Sequence, residues 1–267
     1  MDQRSIPAAE VSGAAKALVK GLAMLDLLMQ HPGGLRLSEV IGQSGVPKGT
    51  ALRLLETLTA SGAVAVDEAG VYRLGFRCAI WGSAFLESLD IRRLARDVLA
   101  RLADVTGETC HLGIRDDLQV VYLDKIDGKH AIRMFSRIGG TNPLYCAGLG
   151  KAILAFLPEA DVARVVAAGL APRTENTITD AETLRRDMAT VRHRGYSVDD
   201  VENEDGVRCA GAPIFDHQNR VVASISVAGP AYRMTRERIK ALGPEIRDAA
   251  DEVSRRLGAH RPVSTTA

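Results

Sequence analysis

Residues 34–66 read GLRLSEVIGQSGVPKGTALRLLETLTASGAVAV, and the order of signals in this stretch decides the fold of the first part of the chain. Ser38 offers a hydroxyl that can cap free helical N–H groups, and Glu39 suits the positive end of a helix dipole, so a helix is expected to start there. It is short, because Ser44 and Gly45 supply a turn. Pro47 fits the first position of a new helix, which runs over 48–58 and stops at Ser61 and Gly62. Upstream, Ala15, Leu18, Leu22, Leu25 and Met29 recur at spacings of three and four and predict an earlier helix with an apolar stripe. His31-Pro32-Gly33-Gly34 closes it. Downstream, the β-prone runs 63–66 and 71–74 flank Asp67-Glu68-Ala69-Gly70 and read as a hairpin. Helix, short helix, tight turn, helix and hairpin make a winged helix-turn-helix, assigned to residues 12–75.

In such a motif the second helix enters the major groove of DNA and its first residues touch base edges. Leu52, Leu55 and Leu58, with Leu54 at the flank, are expected to face inward. That leaves Lys48, Gly49, Thr50 and Arg53 on the outer face. Arg53 could hold a guanine bidentately, Lys48 and Thr50 could take phosphates, and the missing side chain at Gly49 would permit close approach. Ser38 and the wing residue Arg73 complete the expected DNA contacts. The alternative for each is a solvated residue on an amphipathic helix.

Charge adds little. The whole chain carries a formal net charge of +1, and residues 12–62 hold five bases (Lys16, Lys20, Arg36, Lys48, Arg53) against three acids (Asp26, Glu39, Glu56). The 267 residues are 46% hydrophobic and 25% charged, the balance of a soluble globular protein of about two domains. No apolar run approaches the ~20 residues needed to cross a bilayer, so no membrane association is expected. The start, MDQRSIPAAEVSG, lacks the basic and apolar regions of a secretory signal, and a cytoplasmic location is expected. The four cysteines (Cys78, Cys110, Cys146, Cys209) are widely separated, as in a reducing compartment.

Residues 76–90, with the single tryptophan Trp81, read as a linker helix. A longer helix over 91–106 leads into a different regime. Strands are expected over 109–114, 118–126 and 131–135, and a helix rich in small residues over 146–156. Helices near 159–168 and 180–194 follow, then strands near 195–199, 207–215 and 221–228, and a last helix over 235–257. This mixed order predicts an α+β domain over 91–260. Within it, Gly148-Leu149-Gly150 stands before the helix containing Lys151, and glycines there could expose N–H groups to an anion. It is not a P-loop, since Tyr145 and Ala152 occupy positions that motif reserves for Gly and for Ser or Thr. The alternative is that small residues let a helix sit close to a sheet.

The blocks GLRLSEVIGQSGVPKGTALRLLETLTASGAVAV and YRLG, then RIGGTNPLYCAGLGKAILAFLP, RGYSVDDVENEDGVRCAGAPIFD and ASISVAGP, resemble in order and spacing the IclR family of bacterial transcription regulators. The resemblance implies a GAF-like effector-binding domain after the linker helix, homodimers that often pair into tetramers, and operator affinity modulated by a small molecule, here a small organic acid. It places the effector pocket on Ala131, Met134, Gly148, Leu149, Asp199, Val207, Cys209, Ser226 and Ala228. Val207 with Cys209, and Ser226 with Ala228, are two apart on strands, so each pair faces one side of a sheet. Ala228 stands where some members that bind glyoxylate or pyruvate have a hydroxyl residue. The rival reading is an enzyme or ligand-binding module that uses the Cys209 pocket without binding DNA. None of His111, His130, His193 or His217 has a signature assigning it as a base for Cys209, and HExxH, GxSxG and dinucleotide motifs are missing. No enzyme activity, cofactor or metal is expected.

Overall fold

The computed structural model describes residues 16–88, 90–130 and 136–259, and the chain divides after Ser88 into two compact units. The first contains α1 (Lys16–Gln30), β1 (Leu35–Arg36), α2 (Leu37–Ser44), α3 (Lys48–Ala60), β2 (Val64–Val66), β3 (Val71–Leu74) and α4 (Phe76–Ser88). The strands form an antiparallel sheet in the order β1-β3-β2. This is the expected winged helix-turn-helix, with β1 as a third strand that the sequence reading did not anticipate.

Gly45 ends α2 in the left-handed region (φ 63°), a conformation glycine adopts without steric cost, and its N–H donates to Ile41 O at 3.2 Å. Three local expectations need correction. Ser38 does not cap α2: the cap is Arg36, whose N–H donates to the Glu39 carboxylate at 2.7 Å. The acid therefore works as expected, but one residue pair earlier. Pro47 is the N-cap of α3 and not its first residue, and its carbonyl accepts from Thr50 and Ala51 N–H at 2.9 Å each.

The third correction concerns packing. In α1 the core takes Val19, Met24 and Leu28, while Leu18 of the expected stripe is 65% exposed and Leu22 and Met29 are also exposed. Among the described residues of that stripe, only Leu25 packs against the core. The sequence LVKGLAMLDLLM is apolar on two sides, so periodicity alone could not choose between them. In α3 the buried residues are Ala51 and Leu55, flanked by Leu54 and Leu58, and Leu52 lies on the outer face.

The second unit contains α5 (Asp90–Thr106), β4 (Thr109–Asp116), β5 (Gln119–Ile126), β6 (Thr141–Pro143), α6 (Gly148–Leu154), α7 (Glu159–Ala167), α8 (Ala181–Arg194), β7 (Ser197–Asp200), β8 (Val207–Phe215), β9 (Val221–Pro230) and α9 (Arg236–Arg256). Its strands build one antiparallel sheet, in the order β6-β5-β4-β9-β8-β7. Helix α6 packs on one face and α5 and α9 pack on β4, β8 and β9. The α+β expectation is met, with β6 unforeseen. The strand expected over 131–135 lies outside the described residues.

Candidate nucleic-acid interface and ligand pocket

The first turns of α3 expose Lys48, Gly49 and Arg53, as the sequence predicts, with Leu52 beside them, while Thr50 is half-buried. Lys48 and Arg53 are exposed, and their side chains make no hydrogen bond or ion pair among the described residues. Each charge is therefore available to a partner. A Cβ built at Gly49 would meet nothing within 4 Å, so no contact inside the protein requires glycine there. Ser38 is exposed in the first turn of α2.

Arg73 is less free than its sequence position implied. Its Nη1 donates to Asp67 Oδ2 at 2.6 Å and its Nε to Gly33 O at 3.1 Å. Asp67 Oδ1 also accepts from the N–H groups of Ala69 and Val71, at 3.0 Å each, which fixes the wing turn. The Arg73 hydrogen bond and these backbone donors hold the Asp67 carboxyl below the usual carboxylate range.

In the second unit the strand register collects the expected pocket residues. Asp199, Cys209, Ala228 and Thr109 pair side by side across β7, β8, β9 and β4. The adjacent row of the same face holds Ser197, Gly211, Ser226 and His111. Helix α6 lies against this face. Ser197 Oγ donates to Gly148 O at 2.6 Å, and Ser224 Oγ to Leu149 O at 2.9 Å.

The glycines make that contact possible. A Cβ on Gly148 would come 2.6 Å from Cys209 Sγ, and one on Gly150 would come 2.6 Å from Leu144 Cα. They lie inside the first turn of α6 and not before it, so the close-packing alternative accounts for them. Lys151 is buried, with Nζ 2.7 Å from Val198 O, 2.6 Å from Glu202 Oε1 and 2.9 Å from Asp187 Oδ2. Burial opposes its charge, but the two carboxylates outweigh burial and raise its pKa. It supports the loop after β7 and is occupied.

Asp199 is 3% exposed, and its Oδ1 accepts from the N–H groups of Glu202 at 2.7 Å and Asn203 at 3.3 Å. Burial pushes its carboxyl up to about 7 in spite of those donors. Burial also raises the Cys209 thiol, with the Asp199 charge adding to it, so Cys209 is not a ready thiolate.

Several residues of this region were missed from sequence. His111 Nε2 lies 2.7 Å from Ser136 Oγ, and its ring sits 4.8 Å from that of Tyr122. Burial lowers His111 to about 3, so the imidazole is neutral. Tyr122 Oη accepts from Asn142 Nδ2 at 2.7 Å. The alternation along β4, which puts Thr109, His111 and Gly113 on one face, was the available signal. Ala131 and Met134 lie outside the described residues.

Sequence comparison agrees with this division. Residues 17–68 match the family described as IclR helix-turn-helix domain, and residues 83–255 match the family described as bacterial transcriptional regulator IclR C-terminal. The transcriptional repressor IclR of Escherichia coli (strain K12) is 34% identical over 261 residues, 96% of this chain and 95% of that protein. The HTH-type transcriptional regulator KipR of Bacillus subtilis (strain 168) is 34% identical over 91% of this chain and 97% of its own length. The crystal structure of Thermotoga maritima IclR superposes with a TM-score of 0.76 at 36% identity, covering 92% of this chain and all of that one. These relatives are named as regulators and repressors, not enzymes, which removes the enzymatic rival reading. With a DNA-binding helix-turn-helix at one end and a ligand-binding domain at the other, the chain belongs to the IclR family of bacterial transcriptional regulators.

Proposed function

We propose that this regulator reads an operator with the first turns of α3, and that a small organic acid seated between α6 and the sheet resets its affinity for DNA. The observation that carries the reading is the pair of unengaged cations, Lys48 and Arg53, at the exposed start of the second helix of the motif. Arg53 contacts a base edge and Lys48 and Thr50 hold phosphates. Gly49 admits the DNA backbone, and Ser38 at the start of α2 and the remaining Arg73 donors add phosphate contacts.

The acid is bounded by Gly148, Leu149, Asp199, Val207, Cys209, Ser226 and Ala228; Ala131 and Met134, which the family resemblance adds, lie outside the described residues. The functional parts are a reader at 12–75, a linker at 76–90 and an effector domain at 91–260. The unit at work in the cytoplasm is a homodimer or a pair of dimers, with half-sites about one DNA turn or a multiple apart. The acid favours one arrangement of the effector domains, and the linker converts that population shift into a change of reader spacing.

The test is an operator gel-shift titration of the full chain with and without each member of a panel of short carboxylic acids, paired with calorimetry. The reading expects one acid to give both heat and a shifted operator midpoint. If no acid gives heat, the effector assignment fails. If no operator binding occurs at all, the DNA assignment fails separately.

A further inference from the structure

A second cavity lies where α9 passes β7 and β8. Asp199 and Cys209 alternate toward α6, so their neighbours Val198 and Arg208 point to the opposite face of the sheet. There they bound a cavity of about 360 Å3, a size in the range of small-molecule sites, roughly 300–1,000 Å3. Its apolar wall is Tyr196, Val198 and Ile239, and its cations are Arg194, Arg208, Arg236 and Lys240.

The charges around it do not cancel. Asp200 accepts from Arg208 Nε at 2.6 Å and from Arg236 Nε at 2.7 Å. Arg208 Nη1 is spent on the carbonyls of Ala231 at 3.0 Å and Met234 at 2.6 Å, so it serves as a pillar. Glu237, in the first turn of α9, is a further carboxylate that interacts electrostatically with Arg208 and Arg236. Arg194 and Lys240 form no ion pair with a carboxylate among the described residues. Arg194 Nε donates to Tyr196 O and its guanidinium lies 4.7 Å from the centre of the Tyr196 ring, while its Nη2 is buried with no hydrogen-bond partner. Lys240 is exposed, and its side chain makes no hydrogen bond or ion pair among the described residues.

Arg194, Arg236 and Lys240 therefore bring cationic donors to one partly apolar cavity, where an anion would form charge-assisted hydrogen bonds. We infer that this cavity is a second ligand site, which takes a small organic anion through carboxylate or phosphate oxygens on Arg194, Arg236 and Lys240 while its apolar body rests on Tyr196, Val198 and Ile239. The mixed wall sets the class. An inorganic anion leaves the apolar side unused, and a neutral hydrocarbon leaves the cations Arg194 and Lys240 without a counter-charge.

Phenyl phosphate is the probe, titrated into the full chain by calorimetry beside inorganic phosphate and benzyl alcohol. The expected result is saturable binding of phenyl phosphate at least tenfold tighter than either control. Arg194→Met and Lys240→Glu each weaken it tenfold or more, and Ser226→Ala, on the other face of the sheet, changes it less than twofold. Lys240 is exposed, so its variant carries the test even if Arg194→Met does not fold. Four outcomes overturn the site: no heat with phenyl phosphate at millimolar concentration; inorganic phosphate binding equally well, which means an adventitious ion only; no effect of Lys240→Glu; or loss with Ser226→Ala, which assigns the heat to the α6 side.

Discussion

Single residues separate what folds the reader from what reads. Arg53 is exposed and its side chain makes no hydrogen bond or ion pair among the described residues, so Arg53→Ala leaves the melting temperature near the wild-type value. It weakens a cognate operator by about 1–3 kcal/mol in a gel-shift titration, the size of a bidentate base contact. Unchanged operator affinity rules out its role. Gly49 gives the opposite pairing of effects. Its Cβ position is open, and Ala is better than Gly in a helix by up to about 1 kcal/mol, so Gly49→Ala holds or raises stability while lowering DNA affinity. A variant that binds DNA as well as the wild type removes the close-approach explanation.

Asp199 carries a pH prediction. Its carboxyl keeps its proton up to about pH 7 in the fold, whereas in the unfolded chain it loses the proton near 3.9. Between those values the native state holds more protons, so stability falls as pH rises through the window. Asp199→Asn retains an acceptor for the Glu202 and Asn203 N–H groups but cannot ionise. Denaturant titrations at pH 5 and pH 8 therefore show the variant gaining on the wild type by about 1–4 kcal/mol. A difference independent of pH defeats the prediction.

At the scale of elements, punctuation was legible and faces were not. Gly45, Pro47 and the Asp67–Gly70 turn are local signals, and they placed α2, α3 and the hairpin to within a residue or two. Which side of α1 is buried depends on what packs against it, and a helix apolar on two sides carries no local record of that. The α2 cap moved to Arg36 because the Glu39 carboxylate reaches the Arg36 N–H, a choice the residue types alone do not make. That Asp199, Cys209, Ser226 and Ala228 share one face of the sheet was readable through motif resemblance and strand alternation. His111 and Tyr122 were not, because the pairing of β4 with β5 and β9 is non-local.

The glycines of α6 show the same limit, since spacing fits both an anion cradle and a close-packing contact. Gly150→Ala distinguishes a packing role by stability: its Cβ meets Leu144 backbone at 2.6 Å, which the chain relieves only by moving a buried segment. The expected loss is about 1–3 kcal/mol. Gly42→Ala on α2, with open space around it, is expected to hold or raise stability and serves as the control. Equal unfolding midpoints for the two variants mean that α6 tolerates the side chain and is not held by the glycine.

For the whole molecule the constraint is linkage between two separately folded units. If an acid in the effector domain changes operator affinity by some factor, operator DNA must change acid affinity by the same factor, whatever path through 76–90 carries the coupling. Both halves are measurable on one preparation: operator midpoints at zero and saturating acid, and acid titrations of free and operator-bound protein. The two ratios are expected to agree in size and direction. Acid heat without any ratio different from one leaves a bound ligand with no regulatory role, because equal affinity for both arrangements shifts neither. The buried carboxyl adds a sign to the same experiment. An anionic ligand beside Asp199 is repelled once that group ionises, so acid affinity falls as pH rises through about 7. In Asp199→Asn that fall is lost and the operator ratio becomes insensitive to pH over the same range. A wild-type pH profile that survives in Asp199→Asn places the titrating group elsewhere and removes Asp199 from the ligand's surroundings.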